Sequence, residues 1–214
     1  MTESRSHGIK PVIAGLYAIT PETADTTHLV AAVRAAVQGG ARAVQYRSKL
    51  ADTKLKQAQA VALRAITRDQ GAILIVNDSI ELALTVDADG AHLGSSDGDW
   101  ALARATLGPD KLLGASCYDR LDLAQQARDA GADYVAFGSV FLSPTKPGAV
   151  RASLDLFRQA RTELDLPICA IGGITLANAP AVIAAGAHSL AVVSALFDAS
   201  DIRAAAHDFA RLFA

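Results

Sequence analysis

The sequence predicts a single α/β domain built as a closed (β/α)8 barrel, and three observations carry that expectation. Short apolar segments alternate with helix-periodic segments about eight times along the 214 residues. The apolar segments are nearly continuous rather than alternating with polar residues, as strands are when a parallel sheet is covered on both faces. A recurring junction, Gly then Ala then a polar residue, introduces the strands: "GGARAVQYR" at 39–47, "DGAHLG" at 89–94, "AGADYVAFG" at 130–138 and "AGAHSLAVVS" at 185–194. A glycine there accepts the left-handed turn that ends a helix before a strand begins. The junctions recur at irregular spacing, so they do not mark a solenoid.

In chain order, the expected strands are "GLYAIT" (15–20), "AVQYR" (43–47), "AILIVN" (72–77), "AHLG" (91–94), "LLGASC" (112–117), "YVAFGSV" (134–140), "PICAIG" (167–172) and "SLAVVSA" (189–195). Between them, apolar residues three or four apart predict helices over 55–70, 120–130 and 176–186. Residues 1–14 read as an N-terminal extension with a frayed start, and 15–214 as the barrel. A doubly wound open sheet is the alternative, but it calls for G-x-G-x-x-G after the first strand, where "GLYAITPET" stands. A TIM barrel is therefore expected, with working groups at the C-terminal strand ends.

Composition narrows the function. The chain is 51% hydrophobic and 20% charged, with a formal net charge of −2, and its mean hydropathy is +0.24. With no basic block, neither nucleic acid nor an anionic membrane is an expected partner. The apolar run at 181–197 contains His188 and is split by Gly186, so it reads as a helix end and a buried strand, not a membrane span. The N-terminal apolar run leads to "PETADTTH" rather than to a small-residue cleavage site. Cys117 and Cys169 read as buried free thiols suited to a reducing cytoplasm.

The polar strand ends carry the chemistry. Gln45, Arg47 and Lys49 follow strand two, Asn77 and Asp78 strand three, and Asp97 lies beyond four. Ser116 stands in five, Ser143, Thr145 and Lys146 lie beyond six, Gly172 and Gly173 follow seven, and Ser194 follows eight. A barrel gathers all of these at one mouth. Asp78 and Asp97, on adjacent strands about 4.8 Å apart, suit Mg2+ carrying phosphate oxygens, although Asp78 could equally cap the helix starting near Ser79. Arg47, Lys49 and Lys146 could balance phosphate charge. Gly172, Gly173 and Ser194 stand where this barrel commonly receives a phosphate. Two anion sites imply substrates with two phosphate ends. His92 reads as a hydrogen-bonded core residue, Tyr17, Tyr46, Tyr118 and Trp100 as packing or wall residues, and no nucleophile elbow or catalytic triad is visible.

Several motifs, in order, resemble thiamine phosphate synthase: "QYRSK" (45–49), "VNDS" (76–79), "DGAHLGSSD" (89–97), "LGASCY" (113–118), "FGSVFLSPTKPGA" (137–149), "AIGGIT" (170–175) and "VVSALF" (192–197). The resemblance implies an enzyme that joins hydroxymethylpyrimidine diphosphate to a thiazole phosphate, or its carboxylated form, and releases diphosphate. It implies that Gln45, Tyr46, Arg47, Ser48, Lys49, Asn77, Ser116 and Lys146 hold the pyrimidine diphosphate. Of these, Arg47, Lys49, Ser116 and Lys146 would serve the reaction itself. Asp78 and Asp97 would bind Mg2+, and Ser143, Pro144, Thr145, Gly172, Gly173, Val193 and Ser194 would take the thiazole phosphate. Ser95 stands where the family commonly has Gln, and Leu142-Ser143 where it has Pro-Thr. Relatives that isomerise the thiazole carboxylate share the scaffold but lack the diphosphate set. The sequence leaves a homo-oligomer open.

Overall fold

In a computed structural model, which describes residues 10–50, 52–94, 98–142 and 150–214, eight parallel strands close in sequence order, each hydrogen-bonded to the next and the last to the first. The strands are β1 (Gly15–Ile19), β2 (Ala43–Tyr46), β3 (Ile73–Asn77), β4 (Gly90–Leu93), β5 (Leu112–Tyr118), β6 (Tyr134–Phe137), β7 (Ile168–Ile171) and β8 (Ser189–Val192). Helices follow them in turn: α1 (Thr26–Gln38), α2 (Thr53–Asp69), α3 (Ile80–Thr85), α4 (Trp100–Leu107), α5 (Leu121–Asp129), α6 (Leu154–Glu163), α7 (Ala179–Ala184), the short α8 (Ser194–Phe197) and α9 (Ile202–Arg211). The barrel expectation holds, and 181–197 divides into α7, a turn at Gly186, β8 and α8. Among the described residues, no helix is long and apolar enough to cross a membrane.

The two-period of a strand sorts every side chain. Tyr17, Ile19, Ala43, Ile73, Ile75, Leu112, Tyr134, Ala136, Cys169 and Ala191 pack in the barrel interior with Ile13 from below the first strand. Their neighbours Val44, Tyr46, Leu74, Val76, Leu113 and others face the helices. Each helix turns an apolar stripe inward, as α1 does with Leu29, Ala32, Val33, Ala36 and Val37. Side chains of Asp25, Asp52, Ser79, Asp99, Ser153 and Asp201 accept N–H groups at helix starts. Residues 10–14 belong with the barrel, since Ile13 is buried and Lys10 pairs with Asp133 at 2.7 Å; the expected frayed start at 1–9 lies outside the described residues.

The recurring junction has a physical purpose. The residue just before β4, β6 and β8 reaches sideways to a main-chain N–H of the preceding strand: Asp89 to Leu74 (2.7 Å), Asp133 to Leu113 (2.8 Å) and His188 to Ile168 (2.9 Å). An arginine from the helix that leads into that preceding strand meets each one: Arg64 of α2, Arg104 of α4 and Arg161 of α6. One junction stands in a different register from the sequence reading. At 86–90 the left-handed residue is Asp87 (φ 52°), followed by Ala88 and Asp89, and Gly90 already lies in β4. Aspartate tolerates that conformation better than most side chains, so the expected glycine is absent from the turn. Gly90 instead answers to packing, because a Cβ there would sit 2.1 Å from the Leu112 carbonyl oxygen.

Burial, with the Arg161 guanidinium adding to it, holds the His188 imidazole below its ordinary value of 6.5. The unfolded chain therefore takes up this proton at a higher pH than the fold does. Stability is full above about 6.5 and declines as the pH falls through the unfolded value toward the lower folded one. The urea midpoint should drop between pH 7.5 and 5.5, and His188→Gln should flatten that slope; an unchanged slope contradicts this.

Candidate active site

All strands run the same way, so their C-terminal ends share one rim. The pair Tyr46↔Val76 sets the next residues, Arg47 and Asn77, side by side, and Asn77 pairs with His92. His92 is level with Gly114, two residues before Ser116. The ends of β2 to β5 thus form one continuous arc.

On β2, parity divides the expected ligands. Gln45 is buried in the interior and donates through Nε2 to the Tyr17 hydroxyl at 2.9 Å. Tyr46 faces the helices, buried, its hydroxyl donating to Gln59 Oε1 at 2.8 Å, so its side chain is turned away from the mouth. Arg47 is half-buried at the rim, and Thr20 grips its main chain: the Thr20 hydroxyl accepts the Arg47 N–H at 3.0 Å and donates to the Arg47 carbonyl at 3.2 Å. Ser48 is half-buried and accepts from the Leu50 N–H at 3.3 Å, while Lys49 is exposed.

Asn77 ends β3, half-buried, and Asp78 follows it exposed and left-handed, with φ 62°. The helix cap belongs to Ser79, whose hydroxyl accepts the Leu82 N–H at 3.1 Å. The Asp78 N–H is given to the His92 carbonyl at 2.9 Å, which pins its backbone to β4. Aspartate tolerates this left-handed backbone, which sets its carboxylate beside the end of β3. Asp97, Ser143, Pro144, Thr145 and Lys146 lie outside the described residues.

Across the rim, the β7 end meets the loop after β6. The N–H groups of Val140 and Phe141 bond to the carbonyls of Ile171 and Gly172, both at 3.0 Å. β6 itself ends at Phe137, three residues short of the expected strand, because the Ser139 N–H turns to the Val150 carbonyl. Gly172 (φ 102°) and Gly173 (φ 63°) are required by that contact, since added Cβ atoms would lie 2.1 Å from Ser139 Oγ and 2.4 Å from the Leu142 carbonyl oxygen. Among the described residues, the N–H groups of Gly173 and Ser194 reach no acceptor, and Val193 and Ser194 are half-buried at the adjoining strand end. Gly173→Ala should lower stability by about 1–3 kcal/mol in urea titrations, from strain and the clash together. An unchanged midpoint would refute the packing reading.

Inside the barrel, below the rim, lies a connected set of polar groups. Tyr17 and Tyr134 hydroxyls are 2.9 Å apart, Tyr134 lies 3.0 Å from His92 Nδ1, and His92 Nε2 lies 2.8 Å from Ser116 Oγ. Burial raises both phenols above their usual range, so they keep their protons. It also lifts the thiols of Cys117 and Cys169 to about 12, leaving both inert. Two residues that the sequence reading passed over emerge here, Thr20 and Tyr134; an inward-facing tyrosine amid apolar residues was the available signal for the second. A cleft of about 300 Å3 between α1 and α9, lined by Gln38, Gly39, Asp201 and Arg203, shares no residue with the mouth.

Residues 16–196 match the family model described as thiamine monophosphate synthase. The chain belongs to that family. It is 55% identical over 203 residues to the thiamine-phosphate synthase of Methylobacillus flagellatus, spanning 95% of this chain and 97% of that one. To the enzyme of the same name from Thiobacillus denitrificans it is 56% identical over 200 residues, covering 94% and 95%. Among solved structures, thiamine phosphate pyrophosphorylase from Pyrococcus furiosus superposes with a TM-score of 0.82 at 37% identity, covering 94% and 95%. Membership in the thiamine monophosphate synthase family makes the protein a transferase of thiamine biosynthesis.

Proposed function

We propose that this protein condenses hydroxymethylpyrimidine diphosphate with thiazole phosphate, or its carboxylated form, to give thiamine phosphate and diphosphate. The observation that carries the reading is the family match over 16–196, taken with the arc of Arg47, Asn77, Asp78 and Ser116 at one barrel rim. Arg47, Lys49, Asn77 and Lys146 hold the diphosphate end. The Gly172-Gly173 turn, Val193, Ser194 and the segment with Ser143, Pro144 and Thr145 receive the thiazole phosphate. Gln45 contributes from the floor, and Tyr46 and Ser48 through the main chain that carries Arg47.

The residues fit Mg2+. Asp78 offers exposed carboxylate oxygens beside the end of β3. Such a donor set suits an ion completed by water and phosphate oxygens. Asp78 and Asp97 would hold it, and when bound it would neutralise negative charge on the diphosphate. The protein's own work is electrostatic and positional. The pyrimidine can delocalise positive charge at its methylene carbon, so diphosphate departs before the thiazole nitrogen attacks. Arg47, Lys49 and Lys146 stabilise the departing charge, and the second phosphate site holds the nitrogen near the carbon. No protein nucleophile takes part.

A Schiff-base sugar-phosphate lyase would place a lysine inside the barrel. Among the described residues, the inward strand positions carry none, and Lys49 is exposed at the rim. A phosphate-binding sensor leaves the diphosphate side without a role. Incubating the protein with both substrates and Mg2+ should release diphosphate and thiamine phosphate in equal amounts. Absence of thiamine phosphate overturns the proposal.

A further inference from the structure

Among the described residues, the loops that lead from strands into helices hold three arginines, Arg47, Arg120 and Arg151, and their surroundings differ. Arg120, just before α5, is neutralised by Asp122, to which its Nε donates at 3.0 Å. Arg47 stands half-buried on the diphosphate side. Arg151, just before α6, is exposed and meets no carboxylate among the described residues; its guanidinium gives one N–H, from Nη2, to the Val140 carbonyl at 3.3 Å.

Main-chain bonds place that side chain. The Ser139 N–H is given to the Val150 carbonyl and the Ala152 N–H to the Ser139 carbonyl, both at 3.0 Å, so Ser139 and Arg151 stand opposite each other as in a parallel ladder. Residues opposite each other in such a pairing send their side chains to the same face. Ser139 shows which face it is, because its Oγ would lie 2.1 Å from a Cβ on Gly172. Arg151 therefore leaves the loop on the face that meets the Gly172-Gly173 turn. The Val140 carbonyl that it touches belongs to a residue whose own N–H bonds to Ile171, which holds the guanidinium on the β6 side of the turn. The N–H groups of Gly173 and Ser194, without acceptors among the described residues, stand at the ends of β7 and β8.

We propose that Arg151 forms a carboxylate subsite, through which the protein recognises the carboxylated form of the thiazole phosphate. This rests on the reaction proposed above. A substrate with two anionic groups needs two places to put them, and this side of the rim offers two of different chemistry. Main-chain N–H groups beside a glycine turn suit a tetrahedral phosphate. A planar guanidinium suits a planar carboxylate, which it takes through two parallel N–H···O bonds. The single bond to Val140 steadies the guanidinium and leaves most of its N–H groups for the substrate. Arg151 contributes binding alone: no bond to the protein forms, and plain thiazole phosphate, which lacks the carboxylate, makes no use of it.

The test compares the unaltered protein with Arg151→Gln, whose amide can still donate to the Val140 carbonyl, by following diphosphate release as each thiazole form is varied in turn. KM for the carboxylated form should rise roughly 10- to 100-fold, as expected for the loss of a charge-assisted pair, with KM for plain thiazole phosphate unchanged. Arg151→Lys should restore only part of the loss, because an ammonium keeps the charge without the fork. Equal rises for both forms would make Arg151 a phosphate ligand, and no rise for either would make it a surface charge; each result overturns the proposal. Should Arg151→Gln fail to fold, Arg151→Lys carries the same comparison with the same outcomes. Protein that uses plain thiazole phosphate but not the carboxylated form also overturns the subsite and leaves the proposed reaction standing. Protein that makes thiamine phosphate from neither form refutes the reaction itself, and the subsite with it.

Discussion

Asp78→Ala lowers turnover by about a hundredfold or more while the barrel stays folded. The carboxylate is exposed and is not the cap of α3, a role that Ser79 fills. Its N–H bond to the His92 carbonyl is main-chain and survives the substitution. Alanine at φ 62° costs about 1–2 kcal/mol, so the stability change is small beside the catalytic one. Asp78→Asn separates the two effects, because asparagine accepts the left-handed backbone while removing the charge. Both variants should need far more Mg2+ for what turnover remains. Undiminished Mg2+-dependent turnover in either would remove Asp78 from the metal site.

Arg47→Ala should raise KM for the pyrimidine diphosphate roughly 10- to 100-fold, the cost of losing a charge-assisted pairing to phosphate, and leave KM for the thiazole phosphate nearly unchanged. The Thr20 hydroxyl holds the main chain of residue 47 on both its N–H and its carbonyl, so truncating the side chain leaves the rim in place. Steady-state kinetics with each substrate varied in turn give the answer. Equal losses toward both substrates would erase the division of the mouth into two anion sites.

The barrel was legible because its cause is local: near-continuous apolar strands, separated by periodic helices, leave little choice of architecture. The polar rim was legible for the same reason, since strand ends in a barrel must converge. What sequence did not yield depends on closure or on conformation. Tyr17 and Tyr134 stand 117 residues apart, and nothing local predicts that their hydroxyls meet. Tyr46 sits between two expected ligands, yet the strand's two-residue period turns its side chain into the helix layer. Asp87 occupies a left-handed turn where a neighbouring glycine misdirected the register. Gly172 and Gly173 suggested room for phosphate, and the nearer demand on their Cβ positions is the β6–α6 loop. The grip of Thr20 on Arg47 joins residues 27 apart through a hydroxyl that looks ordinary in sequence.

The most direct measurement is a crystal structure with Mg2+ and diphosphate bound. The ion is predicted to sit between Asp78 and Asp97 at the C-terminal rim, touching diphosphate oxygens held by Arg47, Lys49 and Lys146. Diphosphate bound away from that rim, or an ion that ignores both carboxylates, would contradict it.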